Sequence, residues 1–600
     1  MKHNNIRNFC VISHIDHGKT TLTDRFLELT KTIDKKDSSD RILDSNPIEQ
    51  ERGITIKLAP VRMNYTLNTK PYILNLIDTP GHVDFSYEVS RTLAACEGAV
   101  LLIDATQGIQ AQTMANAYQA IKNNLAIISV INKIDLPNAE IKKTLRQIQE
   151  IFGFNPKDVI NISAKTGENV LQLIKAIIKQ LPSPTGEKDK PLKALVFNSF
   201  YHPHKGVIAY IRLFDGQINL NDNLWLFAAK TSFSVQEIGF FAPDLKPVKK
   251  LSAGEVGYIA TGLKNISLCQ AGDTITIHPQ PKSVSPLPGY KEPKPMVFMD
   301  FYPIDTHDFI NLKTSLEKLQ LMDSSLSFQA ISSPILGSGF KIGFQGLLHA
   351  EIVIERLKRE YNIDLIAASP SVEYKVELKK NNQTISILSP VNLPDPTLIN
   401  QIKEPFIEIS IFTPKKYIGN VLTLCQNSRG QLQHQKYFGS QVHLTYNLPL
   451  SELVSGFFDR LKSTSSGFAS LDWKFLEFRP ADIVKLQVLL NRQPVDSLSQ
   501  LVIRSKAQKL AEKLAKKLKQ LIPRQQFEVP IQIAIGGKII ARETIKAFRK
   551  DVTAKLYGGD QTRKDKLLKK QKKGKKRLKQ IGRLNLPPEV FKVALSLDTN

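Results

Sequence analysis

The stretch NFCVISHIDHGKTTLTDRFLEL (8–29) contains an apolar run, a polar loop with one glycine, and a segment that favours a helix. The run at 8–14 predicts a buried strand, and the residues from Gly18 onward predict the helix that follows it. The loop between them, SHIDHGKTT (13–21), matches the phosphate-binding pattern G-x-x-x-x-G-K-[ST], with Ser13 in place of the first glycine. A loop in this context lets backbone N–H groups converge on a phosphate, so the stretch predicts a P-loop on an α/β sheet.

The P-loop residues predicted to contact a nucleotide share one short segment. They are Asp16, His17, Gly18, Lys19, Thr20 and Thr21. We expect Lys19 to reach the β- and γ-phosphates and the Thr20 hydroxyl to coordinate Mg²⁺.

Two further segments supply candidate ligands for the γ-phosphate and for magnesium. The apolar run in YILNLIDTPGH (72–82) is typical of a parallel strand and ends at Asp78, whose carboxylate can hold the magnesium shell. The Gly81 N–H that follows can sense a γ-phosphate. Upstream, QERGITIK (50–57) offers Thr55 as a second magnesium ligand that is ordered only when the γ-phosphate is present.

The choice of base follows from the next strands. AVLLIDA (99–105) and AIISVINKID (126–135) are apolar, and the second ends in Asn132, Lys133 and Asp135. A carboxylate accepts from the N1–H and N2 amine of guanine but is left poorly paired against adenine, which costs a few kcal/mol.

A last strand end completes the predicted base pocket. NISAKTG (161–167) places Ser163, Ala164 and Lys165 there, with the Ala164 N–H directed to the guanine O6. Taken singly, NKID is also compatible with a helix-capping turn and DTPG with a β-turn. Five such segments in order, mostly at strand ends, predict a site for GTP and Mg²⁺.

Length and composition describe a multidomain globular protein. The 600 residues suggest about four domains, and no stretch approaches the ~18 apolar residues of a membrane span. The first residues, MKHNNIRNFCVISH, resemble neither a secretory signal nor a transit segment, and the four scattered cysteines fit neither a zinc site nor a disulfide framework. We therefore expect a cytoplasmic protein.

Positive charge is concentrated at one end of the chain. Residues 485–600 hold 29 Lys and Arg against 9 Asp and Glu, so this fifth of the chain carries +20 of the net charge of +26. Such asymmetry indicates either a polyanion partner or a solvated basic tail. Bulk electrostatics supplies affinity for a phosphate backbone without reading sequence. The candidate RNA-binding residues are Arg563, Lys564, Lys569, Lys570, Lys572, Lys573, Lys575, Lys576 and Arg577.

The pattern of strands, helices and linkers predicts a multidomain α/β and β architecture. A P-loop GTPase domain (G domain, 1–184) is followed by a β-barrel domain (191–284) with short strands and glycine turns. Two ferredoxin-like α+β domains, at 292–376 and 403–482, each begin with an alternating strand after a proline and continue as split β-α-β units. A basic α+β RNA-binding domain (485–600) ends the chain.

One predicted helix, GLLHAEIVIERLKREYNIDL (346–365), contains a His349/Glu351 pair. A spacing of two places these side chains on different helix faces, which favours a packed helix over a metal site. We expect Glu351, Glu355, Arg356 and Arg359 to be exposed.

The motifs SHIDHGKTT, RGITIK, DTPGHVDFSYEVSR, NKID and SAK together resemble the translational GTPases. This resemblance implies that His82 orients the attacking water and that Ile15 and Ile54 form an apolar gate in front of it. No internal arginine finger is evident, which predicts a low intrinsic rate and external activation.

Within that superfamily the chain resembles the elongation factor 4 (LepA) family over almost its whole length. The most specific matches are PRQQFEVPIQIAIGGKIIARE and GGDQTRKDKLLKKQKKGKKR, with LDSNPIEQERGITIKL and SSGFASLDW in support. The stretch LGSGFKIGFQGLLH (336–349) departs from the family's usual LGFGFRCGFLGLLH at Ser338, Lys341, Ile342 and Gln345.

The resemblance implies a GTPase stimulated by 70S ribosomes, whose basic domain meets rRNA and tRNA in the A-site region. The family is proposed to promote back-translocation of mispositioned tRNAs as a fidelity factor. A GTP-gated ribosome-assembly factor acting on precursor subunits stays open as an alternative. We further expect a monomer with weak peripheral contact with the cytoplasmic side of the cell membrane.

Overall fold

A six-stranded sheet forms the centre of the G domain, as the apolar runs predict. The strand order is β2-β3-β1-β4-β5-β6, with every pair parallel except the antiparallel β2–β3 pair. Helices cover it, so strands β1 and β4 are buried along their whole length. The computed structural model describes residues 5–33, 42–44, 46–288, 294–323, 325–333, 336–368, 370–380, 382–548, 561–581 and 590.

The elements of the G domain alternate between strand and helix. They are β1 (Ile6–Ser13), α1 (Lys19–Leu29), α2 (Pro47–Arg52), β2 (Ala59–Leu67), β3 (Lys70–Asp78), α3 (Ser86–Ala95), β4 (Gly98–Asp104), α4 (Ala111–Lys122), β5 (Ala126–Asn132), α5 (Ile141–Phe152), β6 (Ile160–Asn161) and α6 (Val170–Gln180). The carboxyl ends of β1, β3, β4 and β5 lie at one edge of the sheet, where ligands of doubly wound folds bind.

The barrel domain is built from antiparallel strands. Eight of them form a sheet in the order β11-β10-β16-β7-β8-β15-β12-β13, and β14 pairs with β9. The strands are β7 (Lys193–His202), β8 (Gly206–Asp215), β9 (Gln217–Asn219), β10 (Asn223–Leu226), β11 (Thr231–Ser234), β12 (Glu237–Ala242), β13 (Asp244–Pro247), β14 (Lys250–Ser252), β15 (Val256–Ala260) and β16 (Thr274–Ile277).

The first ferredoxin-like domain has the split β-α-β order. Its sheet runs β18-β19-β17-β20, all antiparallel. The elements are β17 (Val297–Pro303), α7 (Phe309–Met322), β18 (Ser327–Ser333), β19 (Gly337–Phe344), α8 (Leu347–Tyr361) and β20 (Leu365–Ala367). Lys341, one of the departures from the family pattern, is buried and pairs with Asp300.

The second ferredoxin-like domain repeats this order around a long central strand. Strand β23 pairs with β25 and β26, and near its start with β21. Because β21 pairs with β23, it belongs to this sheet, and the domain boundary predicted at 376 falls inside β21. The elements are β21 (Tyr374–Leu378), β22 (Thr384–Ile387), β23 (Ile399–Pro414), α9 (Ile418–Asn427), β24 (Gln431–Phe438), β25 (Gln441–Pro449), α10 (Leu450–Glu452), α11 (Phe458–Thr464) and β26 (Ser470–Pro480).

The C-terminal domain is an α+β unit with a core of its own. Its sheet runs β28-β27-β30-β31, with β29 beside β27. The elements are β27 (Ile483–Leu490), β28 (Gln493–Pro494), β29 (Gln500–Ile503), α12 (Arg504–Leu521), β30 (Val529–Ile535), β31 (Lys538–Ile545) and α13 (Gln561–Ile581). Within the described residues, no helix is long and apolar enough to cross a membrane.

The helix predicted at 346–365 forms as α8, with two corrections to its predicted exposure. Glu355 is half-buried rather than exposed, because it pairs with Arg52 and Arg359. Arg356 is buried rather than exposed, because its guanidinium turns along the helix to Glu360 at 2.7 Å. His349 is also buried, and its Nε2 lies 2.9 Å from Asp323 Oδ2. No cluster of three or more potential metal ligands occurs among the described residues.

Buried charges join the G domain to the barrel domain. Arg212 of β8 is fully buried, and its Nη2 donates to Glu97 Oε1 at 2.6 Å. The other oxygen of Glu97 accepts from Asn8 Nδ2 at 2.8 Å, and the same amide donates to Gly254 O at 3.1 Å. The carboxylate of Glu97 therefore compensates a cation that would otherwise lie uncompensated in the interface.

Replacing Glu97 by glutamine tests this interface. Glu97→Gln leaves the Arg212 charge buried without a counter-ion, and we expect a loss of about 3 kcal/mol in the free energy of unfolding. Calorimetry of the first unfolding transition checks this. Glu187→Gln is the matched control, because it breaks an exposed pair with Lys190 and should change nothing measurable. Equal melting profiles for the two variants would contradict the assignment.

Candidate nucleotide site

The P-loop connects the end of β1 at Ser13 to the start of α1 at Lys19. Gly18 has φ +92°, in the left-handed region that favours glycine. A Cβ on Gly18 would also overlap the side-chain amide of Asn132, at the end of β5. The glycine therefore lets the loop turn into the helix and approach the neighbouring strand end.

A cavity of about 340 Å³ opens above this loop. Its lining contains nine of the sequence-predicted residues, namely Asp16, Gly18, Lys19, Thr20, Thr21, Thr55, Gly81, His82 and Lys133. Ser13, Ile15 and Ile54 also line it, so both residues of the predicted apolar gate line the same cavity as His82. The P-loop, the segment around Thr55 and the segment after β3 thus meet around one space.

Lys19 lines the cavity, and the oppositely charged Asp78 interacts with it from outside the lining. Both are buried, and neither Asp78 oxygen has a hydrogen bond of regular geometry within the described residues. Burial raises the pKa of Asp78 to about 6, and Asp44 raises it further, while Lys19 opposes the shift. Burial likewise lowers the pKa of Lys19, against the attraction of Asp78.

The residues predicted to bind magnesium fit a hard cation. An under-coordinated, buried carboxylate beside hydroxyl oxygens is the donor set that Mg²⁺ takes in phosphate-binding sites. Thr20 lines the cavity, and the Thr55 hydroxyl donates to Asp44 Oδ1 at 3.2 Å. Asp44 was not singled out in the sequence, although it lies in the matching stretch LDSNPIEQERGITIKL; it accepts from the Thr55 hydroxyl and contributes negative charge near Asp78.

The base-binding candidates are tied to the P-loop through Asn132. Its Nδ2 donates to His17 O at 2.9 Å, and its Oδ1 accepts from the Ala164 N–H at 2.9 Å. In this structure the Ala164 N–H is therefore directed to Asn132. The Asn132 side chain thus connects the P-loop to the loop that contains Ala164.

The remaining base-pocket residues lie on the same edge of the sheet. Lys133 donates to Asp16 O at 2.6 Å and lies 2.7 Å from Asp104 Oδ2, while Asp135 is exposed. Ser163 is buried and Lys165 is exposed. Their loop is supported by Arg25, which donates to Ala164 O and Lys165 O at 3.2 and 2.7 Å. The sequence did not indicate Arg25 and Asp104 as site residues. Arg25 supports the loop through backbone carbonyl oxygens, and Asp104 acts through its contact with Lys133.

His17 does not face the cavity with its side chain. The ring is fully buried, and Nδ1 lies 3.3 Å from Asp104 N and 3.4 Å from Leu102 O. Burial lowers the pKa of His17 to about 4, with Asp104 opposing the shift. Only the backbone of His17 is thus available to a nucleotide.

His82 both lines the cavity and stabilises its own turn. Its Nδ1 accepts from the Asp84 N–H at 3.1 Å and caps the short helix Val83–Phe85. In the neutral ring this leaves the proton on Nε2. The turn therefore uses only Nδ1 of His82 and leaves Nε2 for another partner.

The basic tract lies on a different element, the long helix α13. Arg563, Lys569, Lys570 and Lys572 are exposed and Lys564 is half-buried. Lys573, Lys575, Lys576 and Arg577 continue the helix, but their side chains lie outside the described residues. Helix α12 also carries exposed Lys509 and Lys516, which belong to no basic motif in the sequence because they lie within an ordinary amphipathic helix.

Four parts of the chain match known protein families. Residues 4–183 match the Elongation factor Tu GTP binding domain, and 206–276 match Elongation factor Tu domain 2. Residues 401–489 match the Elongation factor G C-terminus, and 490–596 match the GTP-binding protein LepA C-terminus. The matches follow the order of the domains in the structure.

Full-length relatives are also similar. Elongation factor 4 of Porphyromonas gingivalis is 51% identical over 99% of this chain and 100% of its own length. Elongation factor 4 of Aquifex aeolicus is 48% identical over 100% of both chains. A crystal structure of a Thermus thermophilus protein has a TM-score of 0.57 at 17% identity, covering 80% of this chain and 97% of its own, and so shares the fold.

Gly18→Ala tests the steric constraint on the P-loop. The new Cβ has to displace the Asn132 amide, so we expect GTP affinity to fall by at least about tenfold. Gly153→Ala is the matched control, because Gly153 has φ +72° but open space around its Cα. Titration with a fluorescent GTP analogue checks both. Equal losses of affinity would mean that backbone strain, rather than the contact with Asn132, explains the effect.

Low pH should destabilise strand β4, because His17 becomes protonated. Because the folded pKa of about 4 lies below the usual 6.5, the neutral ring stabilises the fold above pH 6.5, and this contribution is lost as pH falls through 4. A protonated ring no longer accepts from Asp104 N–H. We expect hydrogen-exchange protection of a β4 peptide to fall about tenfold or more between pH 7 and 4.5. The same fall in His17→Asn would refute the role of His17.

Proposed function

The chain belongs to the elongation factor 4 family of ribosome-associated translational GTPases, and on this premise we propose that it promotes back-translocation of mispositioned tRNAs on 70S ribosomes. The observation that carries the proposal is the proximity of His82 to the P-loop around one cavity, with the basic helix α13 on a separate domain. GTP binding and RNA contact thus reside on different parts of the chain.

In the proposed site, each group has a positional role. Lys19 and the backbone of the P-loop hold the phosphates, and Asp135 selects guanine, while Asn132 fixes the two loops around the base. Thr20, Thr55 and Asp78 hold Mg²⁺, which when bound neutralises charge developing on the phosphate oxygens. His82, held by the Asp84 N–H, keeps its Nε2 for the attacking water. Ile15 and Ile54 limit access to that position until the ribosome moves them.

The basic tract is proposed to meet rRNA and tRNA in the A-site region. Its exposed Lys569, Lys570 and Lys572 suit contact with phosphates without sequence readout. We further propose that the protein is a cytoplasmic monomer that makes weak peripheral contact with the membrane.

His82→Ala tests the catalytic proposal. We expect ribosome-stimulated GTP hydrolysis to fall by about 10²-fold or more in kcat, with GTP affinity unchanged, because the variant loses only the group that orients water. His278→Ala, at an exposed histidine in the barrel domain, is the control. Retention of stimulated hydrolysis by His82→Ala would contradict the assignment.

Toeprinting of post-translocation ribosomes tests the tRNA proposal. Wild type with GTP should move the toeprint back by one codon. Lys569→Glu combined with Lys570→Glu should weaken this effect and flatten its salt dependence, whereas Lys188→Glu with Lys190→Glu should not. Hydrolysis stimulated by precursor subunits, with no toeprint shift on 70S ribosomes, would favour the assembly factor instead.

A further inference from the structure

Helix α8 of the first ferredoxin-like domain is capped by a side chain from the G domain. The Asp84 Oδ2 accepts from Leu348 N at 2.9 Å and from His349 N at 3.4 Å. The residue before the helix, Gly346, has no side chain to provide a cap. A carboxylate at a helix N-terminus satisfies free N–H groups and interacts favourably with the helix dipole. Asp84 therefore fixes the end of α8 to the segment that follows β3.

The close approach of the two domains depends on Gly346. A Cβ on this residue would overlap the carboxyl group of Asp84. Its backbone is extended, so the constraint is purely steric. The contact between the G domain and α8 thus requires a carboxylate at position 84 and a residue without a side chain at position 346.

The same aspartate holds His82. While its carboxylate is bound to α8, its backbone N–H donates to His82 Nδ1 at 3.1 Å. The anchor on the α8 side is itself fixed, because His349 is buried beside Asp323 and its ring lies 6.1 Å from that of Phe85. Asp84 therefore connects α8, through its carboxylate, to the imidazole of His82, through its backbone N–H.

The exposed face of α8 holds the segment that leads to Thr55. Arg52 lies 3.0 Å from Glu351 and 2.8 Å from Glu355, and Glu51 lies 2.7 Å from Arg359. Single exposed ion pairs stabilise little, but these form a connected network along one helix. The segment before Thr55 and the segment that carries His82 thus both contact α8.

We propose that Asp84 is a positioning residue for His82, and that α8 transmits movement of the first ferredoxin-like domain to the nucleotide site. This inference rests on the proposed role of His82 and adds its regulation. Asp84 acts through the histidine, because its carboxylate is bound to α8 and its N–H holds the neutral ring in one orientation relative to the P-loop.

Three variants of the full-length protein test the proposal. Asp84→Ala and Gly346→Ala should each lower ribosome-stimulated kcat at least about tenfold, with the KM for ribosomes and the GTP affinity within about twofold of wild type. Asp84→Asn should recover most of the rate, because asparagine is also a good N-cap. Asp395→Ala, which removes an aspartate cap from a short helix far along the chain, is the matched control.

A double variant separates the outcomes. His82→Ala with Asp84→Ala should be no slower than His82→Ala alone, because both act through one ring. If His82→Ala loses stimulation but Asp84→Ala keeps it, the positioning role is overturned while the proposed function stands. If His82→Ala itself keeps stimulation, the proposed catalytic role of His82 fails, and the positioning role of Asp84 fails with it. If Asp84→Ala lowers kcat and Asp84→Asn does not restore it, the proposed role of the helix cap is also overturned. The two Asp84 variants test this role even if Gly346→Ala does not fold.

Discussion

The buried carboxylate of Asp78 beside the buried ammonium of Lys19 is the constraint on which the site depends. Burial raises the pKa of Asp78 to about 6 and lowers that of Lys19, so both charges are costly to keep in the folded protein. In the proposed site, a bound phosphate and a divalent cation offset this cost. The parallel sheet brings this pair to one edge, and the glycine of the P-loop leaves room for Asn132 to join the base side.

Two segments of the nucleotide cavity contact one helix outside the G domain. The Thr55 segment and the His82 segment make contact with the same helix, one through ion pairs and the other through a helix cap. The first ferredoxin-like domain thereby contacts two segments that line the nucleotide cavity. The barrel domain, in contrast, is fixed to the G domain by the fully buried Arg212 and its partner Glu97. The interface between the G domain and the barrel domain thus contains a buried charge pair, whereas the contact between the G domain and α8 consists largely of exposed ion pairs.

Local patterns made most of the fold predictable. The strand, loop and helix at 8–29 are adjacent in the chain, and the predicted translational GTPase fold is confirmed by the four family matches. The contact between Asp84 and Leu348 spans 264 positions, and no periodicity reports it. Arg356 looked exposed because its charge fits a solvent face, whereas its partner Glu360 allows it to be buried. His17 belonged to a matching motif, yet its ring turns inward to Asp104.

The most direct test of the account is the affinity of the full-length protein for GTP and for ATP, measured by calorimetry with and without Mg²⁺. GTP should bind about 100-fold or more tightly than ATP, since adenine leaves the Asp135 carboxylate unpaired. Removal of Mg²⁺ should weaken GTP binding, because no cation then compensates the repulsion between the Asp78 carboxylate and the phosphates. Equal affinity for the two nucleotides, or indifference to Mg²⁺, would contradict the assignment of this cavity as a magnesium-dependent guanine-nucleotide site.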